Sequence, residues 1–200
     1  MVNFVYLASQ SPRRRQLLEQ LGVRYELLLP DSSEDAEALE AVLKNEAPAA
    51  YVKRVTGLKL DAAVARWQQR KLPPAPILCS DTTVAKGRTI YGKPDDASDA
   101  ARMLAELSGG THRVLTAVAV QQGAQRFDAL SASQVTFEAL TPTQIAAYVA
   151  TGEPMGKAGA YAIQGRVAMH ITRVNGSYSG IMGLPLWETA SLLQAAGLTI

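Results

Sequence analysis

Two hundred residues, 48% of them apolar, suffice for one domain with a sizeable core, while a net charge of +2 is too small to draw nucleic acid by bulk electrostatics. The single cysteine, Cys79, excludes an intramolecular disulfide, two scattered histidines offer no zinc constellation, and no apolar run approaches the ~20 residues that cross a bilayer. The chain reads as one globular domain over residues 1–200, with no signal peptide and a composition suited to a reducing cytosol, so any anion must be drawn by a local cluster.

In chain order, Asn3 to Ala8 reads as a strand running into a helix, with Ser11 as N-cap and Pro12 at the position that needs no N–H. Arg13, Arg14 and Arg15 follow in the first turn, where the helix dipole already presents positive charge. An anion would offset them: helix N–H groups, the hydroxyls of Ser9 and Ser11 and the forks of Arg13 and Arg14 suit a phosphate or polyphosphate. The competing reading is a solvated basic helix start. Leu17, Leu18 and Leu21 form the apolar stripe, and Gly22 ends the helix.

Val23 to Leu29 reads as a second strand, closed by Pro30 and followed by an acidic loop from Asp31 to Glu37, most of it a solvated linker, with one carboxylate able to face the basic site across a metal ion. Pro48 opens the longest helical pattern, with Tyr51, Val55, Leu58, Ala62 and Ala65 on the buried face and Gly57 as a weak point. Lys53, Arg54 and Lys59 lie off that stripe. After Pro73-Pro74, the apolar run Ile77-Leu78-Cys79 continues into Ser80-Asp81-Thr82. Burying Asp81 unpaired would cost several kcal/mol, so it borders a cleft, binds a cation or accepts backbone N–H groups, and the cleft is preferred.

Lys86-Gly87 turns the chain back through Arg88 to Tyr91, and Gly92-Lys93-Pro94 forms a constrained loop able to aim Lys93 at Asp81. Asp96 to Ser98 caps a structural helix with stripe Ala100, Met103, Leu104 and Leu107. Thr111 to Val120 and Arg126 to Phe137 form a hairpin around Gln122-Gly123, with His112 read as a packed core residue. Thr141-Pro142-Thr143-Gln144 is a capping box, and its helix ends at Gly152. The glycine-rich segment Glu153 to Gly165 would let backbone approach a ligand; a final strand runs from Val167 to Val174, and Pro185 starts the last helix, with Leu186, Ala190 and Leu193 inward.

Five stretches in this order, LASQSPRRRQLLEQLG from Leu7, Ser80-Asp81-Thr82, Gly92-Lys93-Pro94, Lys157-Ala158-Gly159-Ala160-Tyr161-Ala162-Ile163-Gln164-Gly165 and Gly183-Leu184-Pro185-Leu186, resemble the motifs of the Maf family of nucleotide pyrophosphatases. The pattern from Lys157 to Gly165, with Thr82 after Asp81, is similar to the branch acting on dTTP and UTP. Early strand–helix alternation and a hairpin-rich middle predict an α/β fold with a mixed sheet. The resemblance implies more: an elongated, curved mixed sheet like that of the inosine-triphosphate pyrophosphatases, flanked by helices, with a central cleft between two lobes.

The resemblance further implies phosphate contacts from Ser9, Arg13, Arg14, Lys59 and Lys93, specificity from Arg13, Thr82 and Gln164, and a cation on Glu34 and Asp81. Asp81 would accept the proton of the water that attacks the α-phosphorus. Magnesium, with manganese as a substitute, is the expected cofactor, and a cytoplasmic homodimer the expected state. The chain departs from the pattern at Gly156, where an aspartate is expected, and at Ser33, where a glutamate is expected. The alternative is a non-enzymatic nucleotide or nucleic-acid binder that regulates septum formation. Carboxylates beside phosphates repel them unless a metal intervenes, so Asp81 and Glu34 favour the enzyme. No P-loop or dinucleotide-binding glycine motif is present.

Overall fold

The computed structural model describes residues 4–31, 34 and 38–200. Its first strand, β1 (Phe4–Leu7), pairs in parallel with β2 (Arg24–Leu27) and with β3 (Ile77–Lys86). From β3 onward the chain meanders antiparallel through β5 (Thr111–Gln122), β6 (Gln125–Phe137) and β7 (Ile171–Asn175). Strand β4 (Thr89–Tyr91) folds back on the end of β3, and the seven-stranded sheet runs β2-β1-β3-β5-β6-β7. The fold is therefore a mixed α/β fold, as the alternation and hairpin signals predict.

Side chains alternate across the sheet, so each strand feeds two layers. Odd-numbered residues of β3 and β5 meet α2 (Pro48–Gln69): Leu60 and Ala63 pack on Ile77, Cys79 and Ala119, and Val52 and Val55 on Leu115 and Ala117. Even-numbered residues such as Leu78, Val84 and Val118 face the larger cluster built with α1 (Pro12–Gln20), α3 (Ala97–Leu107), α4 (Pro142–Val149), α5 (Tyr178–Met182) and α6 (Leu186–Ala195). The capping box at Thr141 and Gln144 is complete, and Asp96 caps α3.

Three expectations are corrected. On α2 the buried face passes through Tyr51, Val52, Val55, Thr56, Leu60, Ala63 and Arg66, whereas Leu58 and Ala65 are exposed. Hydrophobicity alone points the stripe at Leu58; carboxylates beneath the helix instead draw Lys59 and Arg66 toward the sheet. The final strand is shorter than Val167 to Val174: residues Arg166–His170 form a 3-10 turn that buries Val167 and exposes Met169, and only Ile171–Asn175 pairs with β6. Strand β2 likewise covers less than Val23 to Leu29. Asn3, Ser33 and the Asp35-Ala36-Glu37 end of the acidic loop lie outside the described residues.

Candidate active site

The site is built on both faces of β3. On the even-numbered face, Ser11 caps α1 by accepting from the Arg14 N–H at 3.4 Å, and Ser9 Oγ accepts from the Ser11 N–H at 3.2 Å. The Arg14 guanidinium then donates to three groups: the Gly183 carbonyl (2.8 Å), Ser9 Oγ (3.2 Å) and Thr82 Oγ1 (3.5 Å). Burial pushes its pKa below the ordinary arginine value, opposed by the charge of Asp81. Thr116 donates to the Gly180 carbonyl (2.7 Å), so the Thr82–Thr116 hydroxyl contact at 2.9 Å runs from Thr82 to Thr116. The Ser80 hydroxyl lies 2.9 Å from the Gly183 carbonyl. These bonds fasten α5 and its closing turn to the sheet. Among the described residues Arg13 makes one hydrogen bond, from Nε to the Met182 carbonyl (3.3 Å).

On the odd-numbered face, Asp81 Oδ1 accepts from Lys59 Nζ at 2.6 Å. The same ammonium donates to Glu40 Oε1 at 2.7 Å, and Lys93 Nζ lies 3.5 Å from Glu40 Oε2. Burial opposes the charge of Lys59, but Asp81 and Glu40 outweigh it and lift the pKa above the usual lysine value. Burial likewise opposes ionisation of Glu40, and Lys59 and Lys93 outweigh it, holding the carboxyl below its ordinary range. Tyr51 donates to the Glu40 carbonyl at 2.9 Å, and burial beside Asp81 and Glu40 raises its phenol to about 12. Behind this layer, Arg66 grips Glu34 through Nε (2.8 Å) and a terminal nitrogen (2.5 Å) and donates to the Leu28 carbonyl (2.7 Å).

Both faces open on one cavity of about 720 Å³, within the range of small-ligand sites. Ser9, Arg13, Arg14, Glu34, Lys59, Asp81, Thr82 and Lys93 all line it, so the structure gathers nearly every residue singled out in the sequence. Gln164 is exposed and stands outside the lining, which takes Tyr161 and Ile163 from the same segment. That segment is pinned at Gly159, which takes φ +68°, donates to the Gly92 carbonyl beside Lys93 (3.0 Å), and leaves no room for a Cβ against Val84. His112 is buried with Nε2 2.7 Å from the Tyr161 hydroxyl; burial and Lys86 lower its pKa to about 4, so it is a neutral core residue at pH 7.

Two residues escaped the sequence reading. Arg66 had a usable signal, because it lies seven positions after Lys59 and so on the same helical face. Glu40 had none: it sits in a short 3-10 helix, Ala38–Glu40, without periodicity or motif. Among the described residues no three His, Cys, Asp or Glu side chains converge as a closed metal cage. The cavity instead offers separate carboxylates beside cations. That suits a magnesium ion, which takes one or two carboxylates and completes its shell with water and substrate phosphates.

A family model described as Maf-like protein matches residues 4–196. A dTTP/UTP pyrophosphatase of Polaromonas sp. (strain JS666) is 71% identical over 198 residues, covering 99% of this chain and 98% of that protein. A dTTP/UTP pyrophosphatase of Albidiferax ferrireducens is 67% identical over 200 residues, covering 100% of both. A solved nucleoside-triphosphatase / dITP/XTP pyrophosphatase of Mycobacterium abscessus is similar at a TM-score of 0.42 and 16% identity, over 66% of this chain and 73% of that one.

Proposed function

We propose that this chain, which belongs to the Maf family, hydrolyses dTTP and UTP to the nucleoside monophosphate and pyrophosphate. The observation that carries the reading is the position of Asp81. Its carboxylate stands 2.6 Å from Lys59 in a cavity whose opposite wall presents Arg13 and Ser9. Phosphoanhydride hydrolysis needs a base near the attacked phosphorus and cations around the oxygens that gain charge. Asp81 supplies the first; Lys59, Lys93 and Arg13 supply the second.

In the mechanism we infer, Arg13 and Ser9 bind phosphate oxygens at the helix start, and Arg14 holds that wall in place. Lys59 orients Asp81 through its 2.6 Å contact, and Asp81 accepts the proton of the water that attacks the α-phosphorus. Pyrophosphate departs against Lys59 and Lys93. Asp81, with the lone pairs that Arg66 leaves on Glu34, would hold a magnesium or manganese ion, which when bound neutralises phosphoryl charge. Thr82 anchors the specificity side by joining Arg14 to Thr116. Gln164 is assigned to the O4 and N3–H edge of uracil or thymine, on the strength of its amide and the pattern of its segment.

The reading extends to a cytoplasmic homodimer with nucleotides, and not nucleic acid, as partners. The exposed apolar side chains of Met169, Val174, Tyr178 and Trp187 accord with a second copy. No helix among the described residues is long and apolar enough to cross a membrane. The test is product analysis with a panel of nucleoside triphosphates and magnesium. Release of pyrophosphate from dTTP and UTP ahead of ATP and GTP is expected, and turnover of none of them would overturn the reading.

A further inference from the structure

We infer that Glu40 is a placeholder for a substrate phosphate: its carboxylate occupies the two lysines that receive the triphosphate and is displaced when the nucleotide binds. The inference rests on the phosphate role of Lys59 and Lys93 proposed above. The two oxygens of Glu40 engage different ammoniums, Oε1 with Lys59 at 2.7 Å and Oε2 with Lys93 at 3.5 Å, as two oxygens of one phosphoryl group would. The lysines come from distant parts of the chain, Lys59 from α2 and Lys93 from the loop after β4. Lys59 is also held by Asp81 at 2.6 Å, so its ammonium stays at the cavity floor whichever anion takes the second position. Glu40 therefore fills the phosphate position on both ammoniums before substrate arrives.

Its own attachment suits exchange. The backbone of Glu40 is tethered by the Tyr51 hydroxyl on its carbonyl, whereas its side chain is bound through these two ion pairs and remains 28% exposed. Asp81 is different: its side chain is only 12% exposed and is fixed in the strand that forms the floor. A triphosphate that takes Lys59 and Lys93 leaves a like charge beside Glu40, which repels the carboxylate toward water. The cost is a lower apparent affinity, because only the fraction of molecules with Glu40 displaced is ready to bind. Glu40 is thus a positioning residue that sets KM, and it does not touch the reacting phosphorus.

The test is calorimetric binding of inorganic pyrophosphate in EDTA, with steady-state kinetics on dTTP and magnesium alongside. Glu40→Gln should bind pyrophosphate about 3- to 10-fold more tightly than wild type, the range for losing two part-exposed ion pairs that compete with a ligand. KM for dTTP should fall by a similar factor with kcat unchanged. Glu40→Asp, which keeps the charge on a shorter arm, should lie between the two, and circular dichroism should show all three folded. Unchanged or weaker pyrophosphate binding by Glu40→Gln would overturn the placeholder. So would a loss of Mn2+ affinity with a fall in kcat, which would make Glu40 a metal ligand. If wild type binds pyrophosphate and Glu40→Gln binds it more tightly while no triphosphate is hydrolysed, the placeholder stands and the pyrophosphatase reading falls.

Discussion

Asp81 and Thr82 are neighbours in one strand, yet they serve two walls of the cavity that are held together by different forces. On the Thr82 wall, Arg14, Ser9, Ser80, Thr116 and the carbonyls of Gly180 and Gly183 form a chain of hydrogen bonds that ends largely in backbone. On the Asp81 wall the bonds are ion pairs between side chains, Lys59 with Glu40 and Asp81, Lys93 with Glu40, and Arg66 with Glu34. A hydrogen bond to a buried carbonyl has no substitute in a ligand, whereas an ion pair is exchanged for another anion at little cost. The first wall is scaffold, and the second is the part that a polyphosphate can rearrange.

The sharpest break of this contrast is Asp81→Asn. It should lower turnover at least ~100-fold, the lower range for losing a positioned general base, while stability and nucleotide binding stay near wild type. Rapid-quench or steady-state pyrophosphate release checks it, and near-normal turnover would take Asp81 out of the mechanism. Adjacent arginines then separate scaffold from contact. Arg14→Ala should destabilise the protein by about 2 kcal/mol, because it removes the three hydrogen bonds that join Ser9, Thr82 and the Gly183 turn, and Arg14→Lys should not rescue it, lacking the planar fork. Arg13→Ala should leave the melting temperature nearly unchanged and reduce kcat/KM about 10-fold, the scale of one charge-assisted contact. If the thermal shifts of the two variants match, the scaffold assignment fails.

A smaller effect is expected at Gln164, which is exposed. Gln164→Ala should lower kcat/KM for UTP about 5-fold and that for ATP and GTP less, the low end for a recognition hydrogen bond. Equal losses across all nucleotides would mean that Gln164 does not read the base. The smallest effect distinguishes the ionic wall by pH. The hydrogen bonds from Arg66 hold the Glu34 carboxyl below its ordinary pKa, so its stabilisation is present above the unfolded value and is lost as pH falls through the folded one. Glu34→Gln should therefore be less stable than wild type at pH 7, and denaturant titrations of the two should converge below about pH 4, given an unfolded glutamate pKa of about 4.3.

Much of this was written locally. Ser11-Pro12 and the three arginines determine a helix start that wants an anion, Thr141-Pro142-Thr143-Gln144 determines a capped helix, and the alternation of strands and helices determines a mixed sheet, because capping and periodicity are short-range effects. An acidic residue inside an apolar strand likewise announced Asp81 as a cleft residue. What the tertiary structure decided was which charge meets which. Arg13 and Arg14 are equivalent in sequence, and only the approach of the Gly183 turn ties Arg14 into three hydrogen bonds while Arg13 makes one among the described residues, to the Met182 carbonyl. Lys59 resembles any surface lysine until β3 brings Asp81 beneath it, and Arg66 is chosen over Leu58 for the inner face of α2 because Glu34 waits there. Glu40 carries no local signal at all: its role follows from two lysines supplied by distant segments, and long-range ion pairing leaves no trace in residue spacing.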